Sequence, residues 1–244
     1  MAAGRDTVFF VSDAHFGLDA DERIKVGLFA ELTTEMRKRA ADIFIVGDLF
    51  DFWIEYRTVV RADYFRILHE LRGLAEAGAK VHYVTGNHDF AVGTFLENAA
   101  GLLVHRESVD VTLQGRKVHI SHGHKIGRKN TTKFVGALLR NKLLQSLYRL
   151  IHPDLGVRIG AAVSAASKKK YRNTGMSPND LNKYRNAAQA QLRNGENDLV
   201  IFAHTHQADL VNFDEGDYCN TGSWMDNYDY AVLRDGKITL MKWN

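Results

Sequence analysis

The feature that most restricts this chain is a local pattern that recurs five times: a short run of β-branched or aromatic residues breaks off into a polar cluster. Val8 to Val11 leads into Ser12, Asp13, Ala14 and His15; Ile43 to Val46 into Gly47 and Asp48; Val81 to Val84 into Thr85, Gly86, Asn87, His88 and Asp89. Val118 to Ile120 gives way to Ser121, His122, Gly123 and His124, and Leu199 to Ala203 to His204, Thr205 and His206. Runs of this length without polar alternation fit strands covered on both faces. Apolar residues three or four apart separate the first three runs (Leu28, Leu32, Met36, then Phe65, Leu68, Leu71, Leu74) and predict helices. Strand and helix alternate, so the expected fold class is α/β. Parallel strands of an open sheet end on one side, which would gather the five clusters in a single crevice. Past residue 206 the pieces are shorter and β-like, with Asp235-Gly236 forming a hairpin turn.

A length of 244 residues with 45% hydrophobic content suits one α/β domain carrying an insertion. A single cysteine, Cys219, excludes an intramolecular disulfide framework and reads as a small buried hydrophobe in a reducing compartment. The start has no signal-peptide pattern, and no stretch reaches the roughly 18 apolar residues that span a bilayer. The expected location is the cytoplasm, with peripheral contact on the inner face of the plasma membrane.

Net charge is only +3, yet Lys125 to Arg185 holds 14 of the 32 Lys and Arg residues and only two of the 29 acids. This asymmetry predicts a core of residues 1–124 and 186–244 and a basic helical cap insertion over 125–185. Val135, Leu139, Leu143, Leu147 and Ile151 recur every four residues, predicting a helix capped at Asn130 or Thr131 and stopped by Pro153. A second helix follows from Asp154, with Gly156, Gly160 and Ser164 on one face. Ser177-Pro178-Asn179-Asp180 is a helix start with proline at the first position and an acid closing a capping box, and Gly195 ends that helix.

Pooled, the polar clusters offer Asp13, His15, Asp48, Asn87, His122, His204 and His206. Oxygen and imidazole donors without thiolate suit Mn²⁺, Fe²⁺ or Zn²⁺ rather than a structural zinc. Seven side chains exceed the needs of one ion, and two ions sharing Asp48 fit the supply. Cation binding also explains why Asp48 and Asp51 stand among Phe50, Phe52 and Trp53, since a buried carboxylate needs a charge partner.

The series Asp13-x-His15, Gly47-Asp48-x-x-Asp51, Gly86-Asn87-His88-Asp89, His122-Gly123-His124 and His204-Thr205-His206 resembles the calcineurin-like metallophosphoesterase superfamily. The resemblance implies a β-sandwich flanked by helices in four layers (αββα). It also implies two divalent ions, Mn²⁺ foremost, one held by Asp13, His15, Asp48 and His206, the other by Asp48, Asn87, His122 and His204. Within the superfamily, GDLFDFW, GNHDF, the basic insert and NTGSW at 220–224 are similar to the UDP-2,3-diacylglucosamine hydrolases, which make lipid X and UMP on the lipid A pathway. Those enzymes usually carry arginine after the asparagine and an acid after H-G, where this chain has His88 and His124. Another phosphoester, a nucleotide phosphodiester or a small phosphomonoester, is the alternative substrate.

A water bridging two cations about 4 Å apart is acidified and aimed at phosphorus, so no nucleophilic side chain is required. His88 is expected as electrostatic stabiliser or general acid, oriented by Asp89 or Asp13, while Asp51 holds a histidine such as His15 and His124 acts from behind the ligands. The cap's apolar stripes and positive charge suit an anionic nucleotide-lipid and a membrane surface. Ser164, Lys168, Lys169, Arg172 and Asn173 are the expected head-group contacts, with Asn87 and His88 against the phosphate. Nucleic acid is not an expected partner, because Phe134, Tyr148, Tyr171 and Tyr184 give the insert few stacking platforms. No feature of the sequence fixes the oligomeric state.

Overall fold

The computed structural model describes residues 5–17, 22–127, 141–172 and 176–244, with the backbone alone at Lys142 and 163–172. Among these, β1 (Thr7–Val11), α1 (Arg23–Arg39), β2 (Ala40–Val46), β3 (Trp53–Ile54), α2 (Phe65–Glu76), β4 (Lys80–Val84), β5 (Asp89–Ala91), α3 (Phe95–Asn98) and β6 (Leu103–His105) come first. Then follow β7 (Ser108–Leu113), β8 (Arg116–Ser121), α4 (Lys142–Tyr148), α5 (Pro153–Arg172), α6 (Pro178–Arg193) and β9 (Leu199–Phe202). The chain closes with β10 (Ala208–Phe213), β11 (Gly216–Thr221), α7 (Trp224–Asn227), β12 (Asp229–Arg234) and β13 (Lys237–Lys242).

Two sheets form the body. One runs β13-β12-β1-β2-β4-β6 and the other β10-β11-β9-β8-β7, with β3 and β5 forming a separate parallel pair. The five motif-bearing strands therefore divide between two sheets, β1, β2 and β4 in the first and β8 and β9 in the second, rather than sharing one open sheet. Their lack of polar alternation has a direct cause, since each strand feeds two cores. Phe9, Val11, Ile43, Ile45, Val81 and Tyr83 pack with residues of α1 and α2. The alternate positions Val8, Phe10, Phe44, Val46 and Val84 meet Val118, Ile120, Leu199, Ile201 and Ala203 between the sheets. Val200 and Phe202 face outward again, onto Tyr184, Ala188 and Leu192 of α6. Helix, sheet, sheet and helix stack in the expected four layers.

Several local readings are met, among them the second helix of the insert, Pro153–Arg172, and others are not. Asp235 and Gly236, both at positive φ, close the β12–β13 hairpin between Arg234 and Lys237. Ser177 caps α6, its Oγ accepting from the Asp180 backbone N–H at 3.2 Å. The expected division at 185 falls inside α6, whose buried face lies on the second sheet. Among the described residues, the helix expected through Ile151 spans Lys142–Tyr148. Asn141 takes an extended conformation, and its side chain accepts from the Leu143 and Leu144 N–H groups, so it caps the start of α4. Pro153 opens α5 rather than ending α4, as its missing N–H allows. The expected cap at Asn130 or Thr131 lies outside the described residues.

Candidate metal centre

The loops after β1, β2, β4, β8 and β9 meet at one edge of the sandwich. Backbone bonds tie them together: Asp13 N–H to Gly47 O at 3.2 Å, His15 N–H to Asp48 O at 3.1 Å, and Ala203 N–H to His122 O at 3.2 Å. Five non-glycine residues here adopt left-handed φ values: Asp13 (49°), His15 (47°), Asp48 (52°), His204 (69°) and His206 (57°). Each such conformation costs roughly 1 to 2 kcal/mol, and the surrounding structure must hold it. The strain turns the five side chains toward one another. Gly47 and Gly86 permit the close approach, for a Cβ on Gly47 would lie 2.6 Å from the His122 ring and one on Gly86 would meet the Asp48 carboxylate.

Three sets of donor atoms lie within 4.8 Å of one another: Asp13, His15 and His206; Asp48, His122 and His204; and His15, Asp48 and His88. In the first, His206 Nε2 is 3.3 Å from Asp13 Oδ1 and 3.4 Å from His15 Nε2. In the second, His122 Nε2 sits 3.1 Å from Asp48 Oδ2, 3.2 Å from His204 Nδ1 and 3.2 Å from Asn87 Oδ1. Asp48 belongs to two sets and lies between the rest. Asp13, His15, Asp48 and His122 are all 2% exposed or less, so the charges are removed from water.

Neighbouring acceptors fix the histidine tautomers. His122 Nδ1 donates to the Val46 carbonyl at 2.8 Å and His206 Nδ1 to Asp226 Oδ2 at 2.8 Å, leaving each Nε2 to face the site. Asp13 Oδ2 accepts from Ser12 Oγ at 2.7 Å and from the His204 N–H at 3.1 Å. Asp13 Oδ1 and His15 Nδ1 are buried with no hydrogen-bond partner among the described residues. A carboxylate oxygen orphaned beside imidazole nitrogens fits a cation-binding role.

The electrostatics follow from burial opposed by close charges. Burial alone raises the Asp13 and Asp48 carboxyls, but His206 and His122 hold Asp13, and His122 and His88 hold Asp48, well below the ordinary range. Conversely, burial depresses His122 and His206, yet Asp48 and Asp13 lift the first to about 9, and Asp13 and Asp226 lift the second to about 10. His204 falls to about 3, by burial and then by His122. Asp89 rises to about 6 through burial and the nearby Asp48.

All seven expected donors meet at this edge, and His88 joins them. The expectation that Asp89 or Asp13 orients His88 is not met. His88 Nδ1 lies 2.5 Å from the Asp51 backbone oxygen, while Asp89 accepts from Tyr83 OH (2.7 Å) and from the Gly86 (2.7 Å) and Asp48 (3.3 Å) N–H groups. Asp51 Oδ1 is 3.6 Å from His15 Nδ1. The His124 ring centroid lies 5.6 Å from that of His122 and 6.4 Å from that of His204, behind them. Ser164, Lys168, Lys169 and Arg172 fall along α5, but their side chains, like Asn173 altogether, lie outside the described residues. Sequence reasoning missed Asp226, Ser12 and the Val46 carbonyl. Ser223, which caps α7 three residues before Asp226, is the one local signal, and it does not point to His206.

Comparison with known proteins agrees with this geometry. A family model described as calcineurin-like phosphoesterase matches residues 7–208. The chain is similar to the UDP-2,3-diacylglucosamine hydrolase of Porphyromonas gingivalis, 31% identical over 98% of this chain and 97% of that one. A Neisseria meningitidis serogroup A protein of the same name is 26% identical over 93% of this chain and 94% of its own length. Among solved structures, a novel archaeal phosphodiesterase overlays with a TM-score of 0.51 at 13% identity, covering 97% of this chain and 99% of that chain, a likeness of fold. Family model, long curated relatives and a convergent Asp/His edge together make this chain a metal-dependent hydrolase and a member of the calcineurin-like phosphoesterase family.

Proposed function

We propose that the protein hydrolyses the pyrophosphate of UDP-2,3-diacylglucosamine to lipid X and UMP. The observation that carries this reading is similarity to hydrolases of that name along nearly their whole length, combined with donor clusters in which Asp48 stands with His122 and His204 in one set and with His15, itself grouped with Asp13 and His206, in another. Asp13, His15, Asp48 and His206 would hold one divalent ion and Asp48, Asn87, His122 and His204 the other, with Mn²⁺ the proposed metal. When bound, such ions supply an activated water and neutralise charge building on the phosphoryl oxygens.

The chain's own residues do the rest. The carbonyl of Asp51 only accepts, so Nδ1 of His88 carries the proton and Nε2 keeps its lone pair. Burial, and then His15, hold this imidazole below its ordinary value despite the pull of Asp48, leaving it neutral at pH 7. In that state it accepts a proton rather than donating one, so His88 acts as a base before it can act as an acid. The buried His88 ring meets Phe90 edge-on at a centroid distance of 6.3 Å, and Phe90 in turn packs on Phe52 at 4.7 Å. The segment 125–185 is proposed as the cap over this edge, its Ser164, Lys168, Lys169, Arg172 and Asn173 meeting the head group. Leu143 and Leu147 on α4, Leu150 in the turn that follows and Leu155 on α5 are all more than half exposed, which supports contact with acyl chains or a membrane surface. No helix among the described residues is long and apolar enough to cross a membrane.

The test is to incubate the protein and Mn²⁺ with UDP-2,3-diacylglucosamine and with a panel of soluble phosphomonoesters and nucleotide phosphodiesters. The expected result is release of UMP from the lipid at a kcat/KM far above any soluble compound. A preference for soluble esters would contradict the substrate while leaving the phosphoesterase chemistry in place.

A further inference from the structure

The segment from Phe50 to Trp53 ties the cap to the metal-binding edge. On its inner side, the Asp51 carboxylate is 3.6 Å from His15 Nδ1, its carbonyl receives His88 Nδ1, and the Trp53 N–H donates to the His88 carbonyl at 3.0 Å. On its outer side, Phe52 is 7% exposed and packs on Phe90 and, at a centroid distance of 6.0 Å, on Tyr148 of α4. The Phe52 carbonyl is itself held, accepting from Tyr64 OH at 3.0 Å.

Helix α5 packs here through two glycines, of which Gly160 meets the segment itself at Phe52. Gly156 and Gly160 are buried while Leu155, Arg158 and Ile159 around them are exposed, so the helix turns its bare row inward. Tyr148 OH donates to the Gly156 carbonyl, closing α4 onto α5. A Cβ on Gly156 would meet the Tyr56 hydroxyl, and one on Gly160 would sit 2.6 to 2.8 Å from three carbons of the Phe52 ring. The two glycines differ in what lies beyond. Phe52 is bonded to Asp51, whose carbonyl receives His88 Nδ1 and whose carboxylate faces His15 Nδ1 at 3.6 Å, whereas Tyr56 lies past β3.

We propose that Gly160 is a positioning residue: its bare Cα seats α5 on Phe52 and so fixes Asp51, which in turn aims His88 and His15. This rests on the role given to His88 above, and on His15 as a metal ligand. A displaced Phe52 would shift the Asp51 carbonyl and carboxylate together, and small misplacements of groups that aim a reacting atom cost about 10²-fold in rate.

The experiment compares the full-length chain with Gly160→Ala, Gly156→Ala, Phe52→Leu and the double variant Phe52→Leu/Gly160→Ala. Three quantities are measured: kcat and KM for the soluble phosphodiester bis(p-nitrophenyl) phosphate at saturating Mn²⁺, Mn²⁺ affinity by calorimetry, and Tm. Alanine is a better helix former than glycine by about 1 kcal/mol, so propensity alone raises Tm. The expected result for Gly160→Ala is a lowered Tm, a kcat reduced about tenfold or more with little change in KM, and Mn²⁺ binding weakened about tenfold, as for lost support of a metal ligand. The double variant recovers all three toward Phe52→Leu, because the smaller side chain makes room for the added methyl. Gly156→Ala lowers Tm but leaves kcat and Mn²⁺ affinity unchanged. Wild-type kcat and Mn²⁺ affinity in Gly160→Ala, additive losses in the double variant, or equal losses of activity in both glycine variants would each overturn the proposal. If the wild-type chain hydrolyses no phosphoester, the phosphoesterase reading falls, and the Mn²⁺ and Tm comparisons still decide the role of Gly160.

Discussion

The backbone oxygen of Asp51 lies 2.5 Å from Nδ1 of His88, so a main-chain atom sets the tautomer of the histidine closest to the proposed chemistry. Replacing His88 by asparagine keeps a donor near that carbonyl and removes the basic Nε2. The rate on any phosphoester substrate is expected to fall by about 10²-fold or more, the usual worth of a positioned proton acceptor, with metal content unchanged. Steady-state kinetics together with elemental analysis of the variant check both halves.

Asp226 fixes His206 from behind, at 2.8 Å from Nδ1. Asp226→Ala leaves the donor set intact but frees the ring. Divalent-metal affinity is expected to drop about 10- to 100-fold, read by titration calorimetry, while activity at saturating metal stays much closer to that of the wild type.

Stability should respond to pH in opposite ways with and without metal. His122 and His206 are raised to about 9 and about 10 by Asp48, Asp13 and Asp226, against an unfolded value near 6.5. A raised imidazole favours the folded state fully below about 6.5, and that contribution is lost as pH climbs through the folded value. After chelator treatment, Tm is expected to fall between pH 6.5 and 10, by about 2 to 4 °C for each kcal/mol lost in a chain of this size. Protons and cations compete for the same nitrogens, so added Mn²⁺ raises Tm most at the alkaline end. A thermal scan series across this pH range, with chelator and with Mn²⁺, measures both slopes.

Gly47 combines a φ of 82° with a position where a Cβ would lie 2.6 Å from His122 Nδ1. Gly47→Ala is therefore expected to cost on the order of 2 to 4 kcal/mol, from backbone strain plus displacement of a packed ring. Chemical denaturation gives the loss, and weakened metal binding in the same variant locates it.

Much of the site was legible because its chemistry restricts residue type. Asp13, His15, Asp48, Asn87, His122, His204 and His206 each follow an uninterrupted apolar run, and such a set of oxygen and nitrogen donors has few other uses. The partition of the strands was not legible from composition. A strand buried on both faces, such as Val8 to Val11, looks the same whether its second face meets a helix or another sheet. The helix start at Asn141 escaped because the four-residue apolar rhythm runs on across it, while the side chain there caps the Leu143 and Leu144 N–H groups. Asp226, twenty residues from His206, and Phe52, more than one hundred from Gly160, are joined only by the folded chain.

Metal stoichiometry separates the dinuclear reading from its rivals most directly. The chelator-treated chain is equilibrated with Mn²⁺, freed of loosely held ions, and its metal content compared with that of Asp48→Ala. Two ions per chain in the wild type, and loss of both tight sites with all hydrolysis in the variant, are the expected values for a carboxylate shared between two cations. One tight ion or none in the wild type, or two retained in Asp48→Ala, would contradict it.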